Sequence, residues 1–436
     1  MSSGMNSVLV PGAAGDIYLY QDGKISGAVP RFIVSLTMGI RGELLKRAAE
    51  ELIVRFPQFA AGISAEGESI VLSPKSGGGI PVEESVSGHN VSEIHIGGPE
   101  TGGYLFRITY CGKTVFFDWH LSLCDERGMA EFVKSVIFRY IQICGYDIEN
   151  DGSVKEPDVL SSVAEGLDPY VRLEDIPASR PVWYMDAKAF AVPSLLPEEE
   201  KVFQIRIPLS KVKGLVRQYI AQPEAFISPM FSHVLYEKYS SEIEEGEYIV
   251  SMIRENLRPH FPTASLRSFF TPLTLAYNRN VTEYPIGTIL MSQKKLLDAQ
   301  LRSDALAYSA RRFVKLADNV RDERLPFGEK VAKLSESMRK LSETATFSIC
   351  NMGNTVMPET LQQYITEFYP VFPTAYFAYT MSIVNFKGEM VVTVVSKDGD
   401  RSVPASFVRL LNSQDIYAFI SDEFSFSQLG YVPKMK

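Results

Sequence analysis

Between Tyr104 and Cys144 the hydrophobic period of this chain changes from two to about 3.6, and that change limits the folds open to it. Tyr104 to Tyr110 and Thr114 to Trp119 are rich in β-branched and aromatic residues, and Cys111-Gly112-Lys113 supplies the turn of a hairpin. Directly afterwards Met129, Phe132, Val133, Val136, Ile137, Tyr140, Ile141 and Cys144 keep the spacing of a helix with one apolar face, and Gly145 stands where a helix C-terminus places glycine. A ribbon followed by such a helix buries its apolar faces only as layers of a mixed sheet and helices.

The same alternation of periods extends over the chain. Phe32, Val34, Leu36 and Met38 alternate with Ile33, Ser35 and Thr37 as a strand does, and Leu45, Ala48, Ala49, Leu52, Ile53 and Phe56 then share a helical face ending before Pro57. Short strands joined by turns follow through Gly77, Gly78 and Gly79. From Asp147 to about Pro181 the sequence is acidic, rich in Gly, Pro and Asp, and aperiodic, so the division between lobes is expected there, giving lobes of 1–180 and 181–436. The second series predicts a strand over Val202 to Ile207, helices over Lys211 to Ile220, Asp304 to Val320 and Gly328 to Leu341, and a hairpin of Ala375 to Phe386 with Glu389 to Ser396 around Lys387-Gly388. A final helix is expected over Val403 to Leu411. With 436 residues, 45% of them apolar, the chain has material for two cores, and two α/β lobes are the expectation.

Composition removes several functions. The formal charge is −8 and the 22% of charged residues alternate in sign, so no basic stripe exists to neutralise a nucleic-acid backbone. The N-terminal MSSGMNSVLVPG lacks a basic start with an apolar block, and no apolar run approaches the ~20 residues of a spanning helix. Cys111, Cys124, Cys144 and Cys350 form no CxxC pair and lie among apolar residues, which points to free thiols and a cytoplasmic location. His89, His95, His233 and His260 have no metal-ligand spacing and no HExxH occurs, so no metal is expected. Ser76-Gly77-Gly78-Gly79 lacks the Lys-Ser/Thr of a phosphate loop, and Gly97-Gly98 with Gly102-Gly103 precedes a strand instead of a helix; both read as turns, and no covalently bound cofactor is expected.

The junction of hairpin and helix reads Phe116-Phe117-Asp118-Trp119-His120-Leu121-Ser122-Leu123-Cys124-Asp125-Glu126-Arg127-Gly128. It resembles the HHxxxDGxG signature of condensation domains and alcohol acetyltransferase-like proteins in the chloramphenicol acetyltransferase superfamily. His120 matches the first histidine, Asp125 the aspartate and Gly128 the trailing glycine. Leu121 stands for the second, catalytic histidine, and Glu126 for the glycine after the aspartate. Arg55-Phe56-Pro57 resembles the family's "RFP" turn and Tyr104-Leu105-Phe106-Arg107 its next strand. Asn256-Leu257-Arg258 with Leu266-Arg267-Ser268-Phe269-Phe270 resembles "NLR…LRNFF", and Cys350-Asn351-Met352-Gly353 resembles "SNLG". The resemblance runs from about Val29 to Ile420.

What the resemblance implies is two chloramphenicol acetyltransferase-like lobes of mixed sheet flanked by helices, forming a V with a central tunnel. In that tunnel an acyl group on a coenzyme A or carrier-protein pantetheine thioester, as co-substrate, meets a hydroxyl or amine, and the second histidine takes the proton. Leu121 cannot act as that base, a loss that costs ~10²- to 10⁴-fold in rate. Positioning of thioester and acceptor would still contribute. His120 admits a catalytic reading and a structural one, the latter because neighbouring side chains in extended backbone face opposite sides. Glu126 is the other candidate base. The resemblance assigns Asp125 an ion pair with Arg258, and Phe116, Phe117 and Trp119 are either tunnel lining or core. Two functions stay open: an acyltransferase with altered proton handling, and a non-catalytic relative that binds a ligand in the tunnel or docks a protein partner such as a carrier protein. Non-acyl chemistry in the same tunnel is a third.

Overall fold

Periodicity and packing can be compared in the computed structural model, which describes residues 12–21, 28–75, 79–86, 94–181, 188–193, 200–219, 223–278, 280, 284–427 and 429–431. The first half supplies α1 (Ala13–Leu19), β1 (Arg31–Leu36), α2 (Gly42–Ile53), β2 (Ala61–Glu66), β3 (Ser69–Pro74), β4 (Val82–Glu84), β5 (Phe106–Cys111), β6 (Thr114–Trp119) and α3 (Glu126–Ile143). The second half begins with β7 (Lys188–Ala189), β8 (Lys201–Pro208), α4 (Leu209–Tyr219), α5 (Pro223–Tyr239), β9 (Glu247–Asn256), β10 (Phe270–Tyr277), α6 (Ile286–Gln300), α7 (Ser303–Val314) and α8 (Phe327–Ser342). It ends with β11 (Phe347–Asn354), β12 (Ile365–Val371), β13 (Tyr379–Phe386), β14 (Glu389–Ser396), α9 (Ser402–Ser413) and β15 (Phe419–Ser425).

Two mixed sheets result, one ordered β12-β1-β6-β5-β4 and the other β10-β9-β11-β13-β14-β8-β15 with β7 beside β9, while β2 and β3 form a separate ribbon. Leu45, Ala48, Ala49 and Leu52 of α2 are fully buried, and α2 packs beside α3 on the first sheet. The seam is aromatic. Phe59 stacks on Phe132 with centroids 4.3 Å apart, and Phe56 and Phe106 meet the Phe132 ring edge-on. Helix α5 is apolar on nearly every side, burying Phe226, Ile227, Met230, Phe231 and Leu235 between the second sheet and helices α6 and α9, so it carries no amphipathic signature to read.

Division in sequence and division in space differ at β12. Strand β12, far inside the 181–436 half, pairs antiparallel with β1, Arg31 opposite Val371 and Val34 opposite Phe368, and so completes the first sheet. Without it β1, whose Phe32 and Val34 are fully buried, would be an open apolar edge. Residues 372–378 then carry the chain across to β13 in the second sheet. A second difference lies at the end: α9 is followed by β15, antiparallel to β8 and largely exposed, whose polar sequence hides the strand. The segment Ser76-Gly77-Gly78 lies outside the described residues.

Asp118 of β6 holds the first sheet together electrostatically. Arg31 Nε of β1 donates to its Oδ1 at 2.7 Å and Arg107 Nε of β5 to its Oδ2 at 2.9 Å, all three side chains being at most 3% exposed. Removing the carboxylate leaves two buried guanidinium groups without it, so Asp118→Ala is expected to lower unfolding free energy by about 3–5 kcal/mol in urea titrations. Glu336→Ala, which breaks pairs on the exposed face of α8, should leave the urea midpoint essentially unchanged.

Candidate functional site

The loop after β6 is fixed by one carboxylate. Asp125 is the N-cap of α3, its backbone extended and its Oδ1 accepting from Gly128 N at 3.0 Å. Its Oδ2 accepts from Phe269 N at 2.8 Å. Arg258 closes the arrangement bidentately, Nη1 donating to Oδ2 at 2.7 Å and Nη2 to Oδ1 at 3.1 Å, and Nη2 also donates to Arg267 O at 2.6 Å. Burial works to raise the Asp125 pKa, but the Arg258 charge and hydrogen bonds, with the two backbone N–H groups, hold it below the usual carboxylate range. Gly128 is required by proximity: a Cβ there would lie 2.1 Å from Leu266 O and 2.7 Å from Cys124 Cβ. Ser268 Oγ donates to Leu121 O at 3.2 Å, so residues 265–269 of the second lobe grip the loop along its length.

His120 and Leu121 lie inside this grip. Leu121 is 1% exposed and belongs to the core, its N–H donating to Ala28 O at 2.8 Å. His120 is fully buried, with Nδ1 2.7 Å from Ser122 Oγ, Nε2 without a hydrogen-bond partner and the ring centroid 3.9 Å from that of Tyr431. Burial alone pushes its pKa down to about 3, so it is neutral at pH 7. Phe116, Phe117 and Trp119 are likewise core, each at most 1% exposed, and Trp119 Nε1 donates to Cys124 O at 3.1 Å. The loop therefore reaches the cleft through its last residues and not through position 121.

Glu126 does face the second lobe. Its Oε2 is 3.5 Å from Arg254 Nη2 on β9, with the side chains 2% and 15% exposed. The Arg254 guanidinium lies over the Phe270 ring at 4.1 Å and the Phe372 ring at 5.1 Å from their centroids. Its Nε and Nη2, and Glu126 Oε2, have no hydrogen-bond partner. Burial opposes the Arg254 charge, yet Tyr18, Glu126, Cys350 and Asp125 around it keep its pKa above the ordinary guanidinium value. Burial pushes the Cys350 and Cys124 thiols well up, and none of the four cysteines forms a disulfide.

Three cavities follow the face of the second sheet turned toward the first lobe. An inner cavity of about 110 Å³ is lined by Met252 and Arg254 of β9, Phe270 and Pro272 of β10, Ser348 and Cys350 of β11, Tyr18 of α1, and the crossing segment Phe372 to Phe377. An outer cavity of about 320 Å³ shares Met252, Pro272, Phe313 and Leu341 with it and opens among Tyr308, Arg312, Ser337 and Lys340 of α7 and α8. A loop-side cavity, also about 320 Å³, lies further along the same strands, at Asn256, Met352 and Asn354, beside Arg127, Gly128 and Arg258. Glu126 and Arg254 stand between the inner and loop-side cavities. Neither His120 nor Leu121 lines any of the three.

Sequence reasoning missed Arg254 and Tyr18. The signal for Arg254 was a charge at the inward position of an alternating strand, Met252-Arg254-Asn256; Tyr18 sits in a short helix with no amphipathic pattern. Among the described residues no group of three or more His, Cys, Asp or Glu is placed to hold a metal, and no helix is long and apolar enough to cross a membrane. His233 is bonded to Tyr277 Oη at 2.8 Å and His260 to Glu255 at 3.0 Å, while His89 lies outside the described residues.

Solved structures place this architecture. No family model matches the sequence, and no curated protein matches it. Polyketide synthase associated protein 5 from Mycobacterium tuberculosis superposes with a TM-score of 0.62 over 94% of this chain and 99% of that one, at 13% identity. The condensation domain of the monacolin K polyketide synthase gives 0.54 over 93% and 96%, at 12% identity. The epimerization domain from the third module of tyrocidine synthetase B gives 0.55 over 89% and 90%, at 10%. The chain has the two-lobed, mixed α/β fold of condensation domains and their chloramphenicol acetyltransferase-like relatives.

Two outcomes follow from the loop. Asp125→Ala removes a cap and half of a buried ion pair and should cost about 3–5 kcal/mol in denaturant unfolding, with much of that cost absent in an Arg258→Ala background. His120 has a folded pKa far below its ordinary 6.5, so the unfolded chain binds the extra proton and stability falls as pH drops from about 6.5 toward about 3. Between pH 7 and pH 5 this amounts to roughly 2 kcal/mol. His120→Gln should lose that increment, measured as the difference in pH dependence between variant and wild type.

Proposed function

We propose that this chain uses the condensation-type scaffold to bind a small, largely apolar molecule in the cleft between its lobes, and does not transfer acyl groups at the motif. The observation that carries this reading is the state of the motif: Leu121, at the base position, is 1% exposed and packed into the core, while its partner His120 is buried and neutral. A general base must reach the proton it removes, directly or through one water. The Asp125–Arg258 clamp and the cavities supply a rigid, partly apolar cleft without such a base.

One observation favours the competing reading, acyl transfer from a coenzyme A or carrier-protein thioester to a hydroxyl or amine: Glu126 Oε2 is buried near the cleft with no hydrogen-bond partner. Against it stands Arg254, whose guanidinium lies 3.5 Å from that oxygen and engages it in an ion pair inside the interface. Thiol release from acetyl-, butyryl- and longer acyl-coenzyme A, with a panel of alcohols and amines, separates the two. The expectation is no acceptor-dependent turnover by wild type, and none by Leu121→His, because an imidazole at 121 enters the core. A gain of ~10²- to 10⁴-fold with Leu121→His, or wild-type turnover abolished by Glu126→Gln in a folded protein, would assign acyl transfer instead.

A further inference from the structure

We infer that the cleft ligand is a free carboxylic acid with an extended apolar chain, its carboxylate seated on Arg254 and its chain running out through the inner cavity toward α7 and α8. This deepens the binding reading and rests on it. Arg254 lines the inner cavity with its guanidinium against the Phe270 and Phe372 rings, its Nε without a hydrogen-bond partner and its Nη2 in no hydrogen bond and 3.5 Å from Glu126 Oε2. Buried donors of this kind are costly until an acceptor meets them, and a guanidinium edge matches the two oxygens of a carboxylate. The Tyr18 phenol, in the electrostatic reach of Arg254, lines the same cavity and is a further donor.

Orientation follows from the lining. Beyond Arg254 the inner and outer cavities meet at Met252, Pro272, Phe313 and Leu341, a passage suited to methylene groups, before the outer one opens among polar side chains of α7 and α8. An apolar terminus placed against Arg254 would leave its nitrogens unpaired, so the acid end goes inward. Glu126 lies behind Arg254 and is absent from the cavity lining. It neutralises part of the guanidinium charge and thereby limits the affinity for a second carboxylate. It also takes the place of the motif glycine between the inner and loop-side cavities, which makes the ligand channel end at the ion pair.

The experiment is isothermal titration calorimetry of the full chain with decanoate, 1-decanol and methyl decanoate at pH 7.5. Decanoate is expected to bind at least tenfold more tightly than the alcohol or the ester. Arg254→Met should bring decanoate to the level of the alcohol, with the fold checked by near-ultraviolet circular dichroism. Glu126→Gln gives the opposite sign, tightening decanoate several-fold with decanol unchanged, so the assignment stays testable if Arg254→Met does not fold. Leu341→Trp, which fills the passage, should abolish both. Equal binding of decanoate and decanol, both lost in Leu341→Trp, would leave the cleft a binding site and overturn the carboxylate assignment. No decanoate binding, or decanoate binding indifferent to Arg254, Glu126 and Leu341, would overturn it outright.

Discussion

The relation between the lobes depends on the buried pair of Asp125 and Arg258. One carboxylate caps α3, accepts a backbone N–H from the start of β10's approach at Phe269, and takes both arms of a guanidinium from the other lobe. Desolvating such a pair is expensive, and only complete hydrogen bonding repays it. Here every oxygen of Asp125 has two donors. The close approach at Gly128, where no side chain fits against Leu266 O, is the steric counterpart of the same contact. Together they fix the N-terminus of α3 against the connection between β9 and β10 and so set where the cleft lies.

A few residues away the cleft holds a second interlobe pair that is only half satisfied. Glu126 and Arg254 are 3.5 Å apart, but Glu126 Oε2 and two Arg254 nitrogens lack hydrogen bonds. The contrast between the two pairs is functional in our account: the complete one is architecture and the incomplete one is a receptor. Leu121 adds to this, because an aliphatic side chain at that place joins the core and needs no polar partner.

Much of the fold was legible in the sequence because hydrophobic period reports directly on burial. The hairpin Phe106 to Trp119, helix α3 and the hairpin around Lys387-Gly388 lie within a few residues of their expected bounds. Strand β12 went unread, and nothing local in Ile365 to Val371 says that its partner is β1 more than three hundred residues earlier. Helix α5, buried all round, had no polar face to mark its period. In the site, the chemistry-bearing positions of the motif were readable as residue types. Their environment was not: the burial of His120 depends on Tyr431, near the end of the chain, and the pairing of Glu126 depends on β9. Both are long-range contacts that spacing does not encode.

The cleft, as proposed, holds an intact small molecule and carries no acyl-transfer intermediate or thioester. Native mass spectrometry of the purified full chain measures this most directly, comparing mass under native and denaturing conditions. The result expected is a non-covalent adduct on the native protein, released on denaturation and identified as an acid free of pantetheine. An adduct that proves to be a coenzyme A or pantetheine thioester would contradict the claim and return the chain to the acyltransferases.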